Sequence, residues 1–536
     1  MFARIQKLFG LSQGRVENRK TSRRDKSRRR AEEASGRFGV ERLETRKMMA
    51  ADFDGDGFDD LVIGASGEDA GALNAGAIVI SYGSGAGLGA RNLHWDQMAL
   101  GGVNNPGDWF GTALSYGDYN NDGFDDLAVS APGEMVAMQP NAGMLYVVYG
   151  SALGLNPATA VGINQNTLMG FGSSQAGDTF GKALATGDFN NDGFDDLAVG
   201  VPGEMVGGAA GAGMVNVVYG GGLGLGAAVQ GWSQNSAGVL DVAEVADGFG
   251  SSLSTGDYNG DGNDDLSVGV WNEDVGAIVD AGLVNVLYGS AARLTAAGNQ
   301  VFTQDNPGVP DMCEAGDQFG TALASGDFDN DGRDDLAVGV PMEDLSALVT
   351  NSGVVNVIFG GGLGLGAFNQ LWLQDTPGIA EVTETDDRFG SSLTAGDFNN
   401  DGNDDLAIGV MGEDMTVAND GAVQVLYGVA GAGLGVLGNS IWFQDAIGIA
   451  DFGEIDDFFG SAVADGDFNG DGFDDLAIGV MGEDLGVNVD AGAVEVLYGQ
   501  LGFGVGAAGS QFLDEFGLTG FIAAGNGFGS TLGRRR

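Results

Sequence analysis

An all-β chain, a seven-bladed β-propeller of four-stranded blades with calcium-binding hairpin loops, is expected on three observations. The loop sequence Asp-x-Asn/Asp-x-Asp-Gly-x-Asp-Asp occurs seven times, starting at Asp52, Asp118, Asp188, Asp257, Asp327, Asp397 and Asp467. Successive starts lie 66, 70, 69, 70, 70 and 70 residues apart, a period that marks one repeat architecture rather than the three or four domains suggested by length alone. Each unit also offers four apolar runs of strand length.

The third unit serves for all. An apolar strand opens with Phe180-Gly181 and runs through Leu184-Ala185-Thr186-Gly187 to the loop. A second strand, Leu197-Ala198-Val199-Gly200-Val201-Pro202, leaves the loop at once. A third, Met214-Val215-Asn216-Val217-Val218-Tyr219, alternates with period two. The fourth lies near Gln230-Gly231-Trp232-Ser233-Gln234, with counterparts around Trp372 and Trp442. Abundant Gly (99) and scarce Pro (9) suit short strands joined by tight turns.

Oxygen donors at loop positions 1, 3, 5 and 9, with Gly at 6 where the chain turns sharply, match the needs of a hard cation such as calcium. Position 1 is the Asp that starts each loop. Position 3 is Asp54, Asn120, Asn190, Asn259, Asp329, Asn399 and Asn469. Position 5 is Asp56, Asp122, Asp192, Asp261, Asp331, Asp401 and Asp471. Position 7, counted for its backbone carbonyl, is Phe58, Phe124, Phe194, Asn263, Arg333, Asn403 and Phe473. Position 9 is Asp60, Asp126, Asp196, Asp265, Asp335, Asp405 and Asp475. Carboxylates packed this closely repel one another, and at neutral pH a divalent ion relieves them. Up to seven calcium ions are expected, with the first and fifth loops tightest by charge count, because they alone carry Asp at position 3. An EF-hand or dockerin reading fails, since position 12, where a bidentate Glu is needed, holds Ile63, Val129, Val199, Val268, Val338, Ile408 or Ile478.

Phe-Gly ahead of the loop, the loop itself, and Val-Gly-Val-Pro-Gly after it make the chain similar to the FG-GAP repeat of integrin α-subunit propellers and their bacterial relatives, over roughly residues 48–532. The Pro is lost at Val270-Trp271 and Val410-Met411, where looser turns are expected. The resemblance implies calcium binding and a role in binding or adhesion outside the cell. The alternative is a carbohydrate-active or other hydrolytic enzyme using acidic residues on one face.

Residues 1–47 carry 15 basic and 6 acidic residues, the rest 8 basic and 69 acidic. The first segment reads as a basic leader or sorting segment without a fold of its own, and 48–536 as the propeller. Leu43-Glu44-Thr45-Arg46-Lys47-Met48-Met49-Ala50-Ala51 resembles an N-terminal segment of large secreted bacterial repeat proteins. Together these point to a secreted or cell-surface protein exported by a non-standard leader. The acidic remainder disfavours nucleic acid and anionic membranes as partners. Cys313 is the single cysteine, so no intrachain disulfide is possible, and no apolar run reaches the ~18 residues of a membrane helix.

Glu68, Glu134, Glu204, Glu273, Glu343, Glu413 and Glu483 recur eight residues after position 9. A shared structural task is expected of them, accepting backbone hydrogen bonds after the second strand. The recurring Trp residues are expected in packing, and His94, the only histidine, on the surface. Because Phe-Gly is absent before Asp52 and reappears at Phe528-Gly529, the last segment, Phe528–Leu532, is expected to pair beside Leu61-Val62-Ile63 and close the ring. An extracellular protein or a glycan, bridged by cations, is the expected partner. It is placed on the face opposite the loops, against Glu244, Asp247, Glu314, Asp317, Glu384, Asp387, Glu454 and Asp457.

Overall fold

The computed structural model describes residues 50–168, 172–226, 228–306, 309, 311–366, 369–520 and 524–533. The basic leader expected at 1–47 lies outside them. Seven antiparallel sheets follow one another along the chain, each with its strands ordered as in the sequence. From the second sheet to the seventh the first strand of each contacts the first strand of the next, and that of the seventh contacts both Ala50–Ala51 and Thr531–Leu532 of the first sheet, so the first strands form the inner wall of a ring and the fourth its rim. This is a seven-bladed β-propeller with almost no helix. In such up-and-down blades the connections between strands one and two, and between three and four, share one face, here the loop face. Those between two and three, and from one blade to the next, share the far face.

The second strands of blades 1 to 7 are Asp60–Ala65, Asp126–Ala131, Asp196–Val201, Asp265–Val270, Asp335–Val340, Asp405–Val410 and Asp475–Val480, and every residue in them is buried. That explains their unbroken apolar run: a strand covered on both faces has no polar side to alternate with. Fourth strands such as Ala228–Trp232 are only half-buried. The apolar core lies between blades, where side chains of neighbouring sheets interdigitate, as Phe53 of blade 1 does edge-on with Tyr116 of blade 2.

Phe-Gly is the rivet between neighbours. Phe110, Phe180, Phe249, Phe319, Phe389, Phe459 and Phe528 are fully buried. Each donates its N–H to the preceding blade just before its third strand, as Phe180 does to the Ala142 carbonyl at 3.1 Å. The Gly follows with φ near +87° in Gly181, and a Cβ there would lie 2.9 Å from Ser130, so only Gly lets the backbones close up.

Blade 1 is assembled from both ends of the propeller. Thr531–Leu532 pairs antiparallel with Gly64 and Ile63. The innermost place is not filled by this segment alone, because Ala50–Ala51 pairs with Leu61 and Asp60 on the same edge.

Candidate calcium loops and blade seams

Each loop turns its amides onto its own carboxylates. In all seven, the position-1 Asp accepts from the N–H of position 5 through Oδ1 and from that of position 6 through Oδ2, at 2.8–3.1 Å. Position 6 is Gly for a physical reason, with φ of +86° at Gly57. Position 9 is buried beneath the loop. Asp60 accepts from the N–H of Phe53 at 3.0 Å and from that of Gly83, which opens the next turn on this face, at 2.9 Å.

Burial pushes these position-9 carboxyls up, to about 9 for Asp60 and about 8 for Asp126, Asp196, Asp265, Asp335, Asp405 and Asp475, against the backbone N–H groups that favour ionisation. The other loop carboxylates add to the rise. A cation among them would offset both causes. The donor set fits calcium: side-chain oxygens of Asp52, Asp54 and Asp56 gather within 4.8 Å of one another, as do those of Asp327, Asp329 and Asp335. Asp54 Oδ1 and Asp329 Oδ1 are also buried and accept no hydrogen bond among the described residues.

Two kinds of loop are distinguishable. Where position 3 is Asn, its Nδ2 donates to the position-9 carboxylate, as Asn120 does to Asp126 Oδ2 at 3.2 Å. Where it is Asp, an arginine enters instead: Arg91 Nη1 lies 2.9 Å from Asp54, and Arg333 Nη1 lies 2.7 Å from Asp331. The extra carboxylate of the first and fifth loops is therefore offset by an arginine, which removes the charge-count ground for ranking them tightest.

Sequence reasoning missed position 8. Asp59, Asp125, Asp195, Asp264, Asp334, Asp404 and Asp474 each accept, through Oδ2, the position-1 N–H of the preceding blade's loop at 2.8–3.1 Å. Each returns its own N–H to the same residue's carbonyl, so seven identical two-way links ring the loop face. The closing link joins Asp59 to Asp467 across 408 residues of sequence.

The recurring Glu has a different task from the one expected. In six seams on the far face it accepts a side-chain hydrogen bond from a Gln of the preceding blade. Gln97 reaches Glu134, Gln165 reaches Glu204, Gln234 reaches Glu273, Gln304 reaches Glu343 and Gln444 reaches Glu483, at 2.6–2.7 Å. Gln374 reaches Glu413 likewise. A Gln 37 or 39 residues before each of these Glu was the available signal. His94, expected on the surface, is half-buried and paired. Its Nε2 lies 3.0 Å from Glu68 and 3.5 Å from Glu515, in the seventh seam.

The far face needs a further correction. Asp247, Asp317, Asp387 and Asp457 are buried, each accepting the N–H three residues back, as Asp457 does from Glu454 at 2.6 Å. They shape the blade-to-blade connections and present no charge to a partner. Glu244, Glu314, Glu384 and Glu454 are exposed. Trp372 packs in the core, and Trp232 and Trp442 pack against it.

Residues 46–81, 110–148, 180–218, 249–287, 319–358, 389–426 and 459–497 match the family described as FG-GAP repeat. The chain belongs to that family. It is 35% identical over 162 residues to phosphatidylinositol-glycan-specific phospholipase D of Rattus norvegicus, covering 30% of this chain and 18% of the relative. It is 39% identical over 102 residues to integrin alpha-3 of Mus musculus, covering 19% and 9%. Each match thus spans under a fifth of the curated relative. A rhamnogalacturonan lyase of Bacillus licheniformis aligns over 76% of this chain and 67% of its own with a TM-score of 0.29 and 12% identity, a likeness that carries no argument. No helix among the described residues of this FG-GAP chain is long and apolar enough to cross a membrane.

Proposed function

We propose that this FG-GAP propeller is a calcium-stabilised binding scaffold that works outside the cell or on its surface, holding up to seven calcium ions through loop positions 1, 3, 5, 7 and 9. The observation that carries the calcium reading is the pair of buried oxygens that accept no hydrogen bond among the described residues, Asp54 Oδ1 and Asp329 Oδ1, each gathered with two further carboxylates of its own loop. Calcium titration by calorimetry tests it. A stoichiometry near seven is expected, at the roughly 0.1–1 mM dissociation constants common in extracellular modules; absence of binding at several millimolar would sink it.

The far face is the recognition surface. Its connections pair an exposed Glu with an exposed apolar residue two positions earlier: Val242 with Glu244, Met312 with Glu314, Val382 with Glu384, and Phe452 with Glu454. An acidic and apolar rim on a rigid ring suits a protein partner with basic and apolar side chains. The loop carboxylates are tied to backbone amides, which favours a scaffold over a hydrolase. Replacing Glu244, Glu314, Glu384 and Glu454 by Lys should abolish salt-sensitive retention on native surface or matrix material while leaving the melting temperature within a degree or two. Retention unchanged in the folded variant would place recognition elsewhere.

A further inference from the structure

The far face carries six Gln–Glu seams and one that departs from them. Where the last blade meets the first, Glu515 occupies the Gln position and is brought to Glu68. Two carboxylates in a half-buried seam repel, and something positive must stand between them. A second departure answers the first: the place of His94 on the fourth strand is held elsewhere by Gly162, Gly231, Val301, Leu371, Ile441 and Phe512. Both departures converge on one point.

We propose that Glu68, His94 and Glu515 form a site for a first-row divalent cation of the zinc class, pinning the last blade to the first. Their donor atoms all lie within 4.8 Å of one another. The separations of His94 Nε2 from Glu68 Oε2 and Glu515 Oε1, 3.0 and 3.5 Å, match the edges between ligands about 2.1 Å from one ion, which span roughly 3.0 Å at right angles and 3.4 Å in a tetrahedron. Glu515 is 1% exposed. Its Oε2 is fixed by the Nδ2 of Asn526 at 2.8 Å, while its Oε1 accepts no hydrogen bond among the described residues and faces the cluster. Such an outer partner orients a ligand before the metal arrives.

The imidazole sets this site apart from the loops, since calcium and magnesium take oxygen donors while zinc and its neighbours accept nitrogen. Glu68 and His94 keep part of their side chains in solvent, leaving room for a water as a further ligand. Burial lowers the imidazole, but Glu515 and Glu68 outweigh it and carry His94 up to about 10. An incoming ion displaces to solvent any proton carried on Nε2. The site is independent of the calcium reading of the loops.

The test uses the full chain in millimolar calcium, with zinc as the probe. His94 is the single histidine, so the imidazole nitrogen signals of a 15N-labelled sample report this site and no other. Stoichiometric zinc should move Nε2 to a metal-bound shift, and calorimetry should find one tight ion per chain. A His94→Val, Glu515→Gln double variant rebuilds the Gln–Glu seam of the other six; it should fold with wild-type melting in the absence of zinc and bind zinc more than ~100-fold weaker, beyond the roughly 10–100-fold that outer-shell losses cost. The proposal is overturned if zinc leaves the wild-type imidazole unmoved, or if the double variant binds zinc as tightly as the wild type.

Discussion

The two faces of the propeller hold their blades together by different chemistry. On the loop face the link is an Asp carboxylate on a backbone N–H, answered by a backbone N–H on a carbonyl, and it recurs without exception, including across the closure from Asp59 to Asp467. On the far face the link is side chain to side chain, and it recurs six times before Glu68, His94 and Glu515 replace it. A link written into the backbone leaves the seventh blade no freedom. A link between two side chains can be rewritten at one seam without disturbing the rest.

Calcium withdrawal should break that comparison most severely, because it acts on one face only. At 1 mM calcium and a dissociation constant near 0.1 mM each site contributes about 1.4 kcal/mol, so seven contribute about 10 kcal/mol. Thermal unfolding in excess chelator should fall well below that in millimolar calcium; coincident melting curves would remove calcium from the structural account.

The pH dependence should separate the faces next. The position-9 carboxyls are raised to about 8 or 9 by burial, so the calcium-free fold holds protons there that the unfolded chain has already lost. The contribution of these groups to its stability should be fully present below about pH 4, the unfolded carboxylate range, and be lost as pH rises towards 8. The seam carboxyls Glu273, Glu343 and Glu413 are likewise raised to about 8, burial being the largest cause. Calcium should therefore cancel the loop share of the decline and leave the seam share. A slope that calcium does not alter would contradict the assignment.

Single links should follow in size. Asp404→Ala and Asp59→Ala remove the same bond from an interior and from the closing seam, and each should cost about 1.5–3 kcal/mol, the value of a hydrogen bond to a charged group. Unequal losses in urea unfolding would show that the closing link is not equivalent. Gln374→Leu leaves Glu413 without its donor on the far face and should cost about 1–3 kcal/mol, with no change in calcium affinity. A shift in calcium titration would mean that the faces are coupled.

Much of this was legible in the sequence. The loop period, the four strands and the Phe-Gly rivets follow from spacing and apolar pattern. Position 8 was hidden because its partner lies 73–77 residues away in all but the closing link, and an Asp-Asp doublet does not say that one carboxylate serves its own loop and the other the neighbouring blade. Asp317 and Glu314 look alike as letters, yet one points into its loop and the other outward, a choice made by backbone shape. His94 looked ordinary because its partners, Glu68 and Glu515, are joined only by closing the ring.

The innermost strand of blade 1 carries one last consequence. Opposite Gly64, Ile63, Val62, Leu61 and Asp60 stand Thr531, Leu532, Gly533, Ala50 and Ala51, with the Gly533 N–H donating to the Val62 carbonyl at 3.3 Å. Residue for residue this is the same strand that Leu184 to Gly187 build in blade 3, opposite Val199 to Asp196. The propeller is thus a closed hoop with a nick in one strand, and the nick skips no place in the register. Circular permutants that splice Gly533 to Ala50 and open the chain in an exposed turn of another blade should fold to the same hoop.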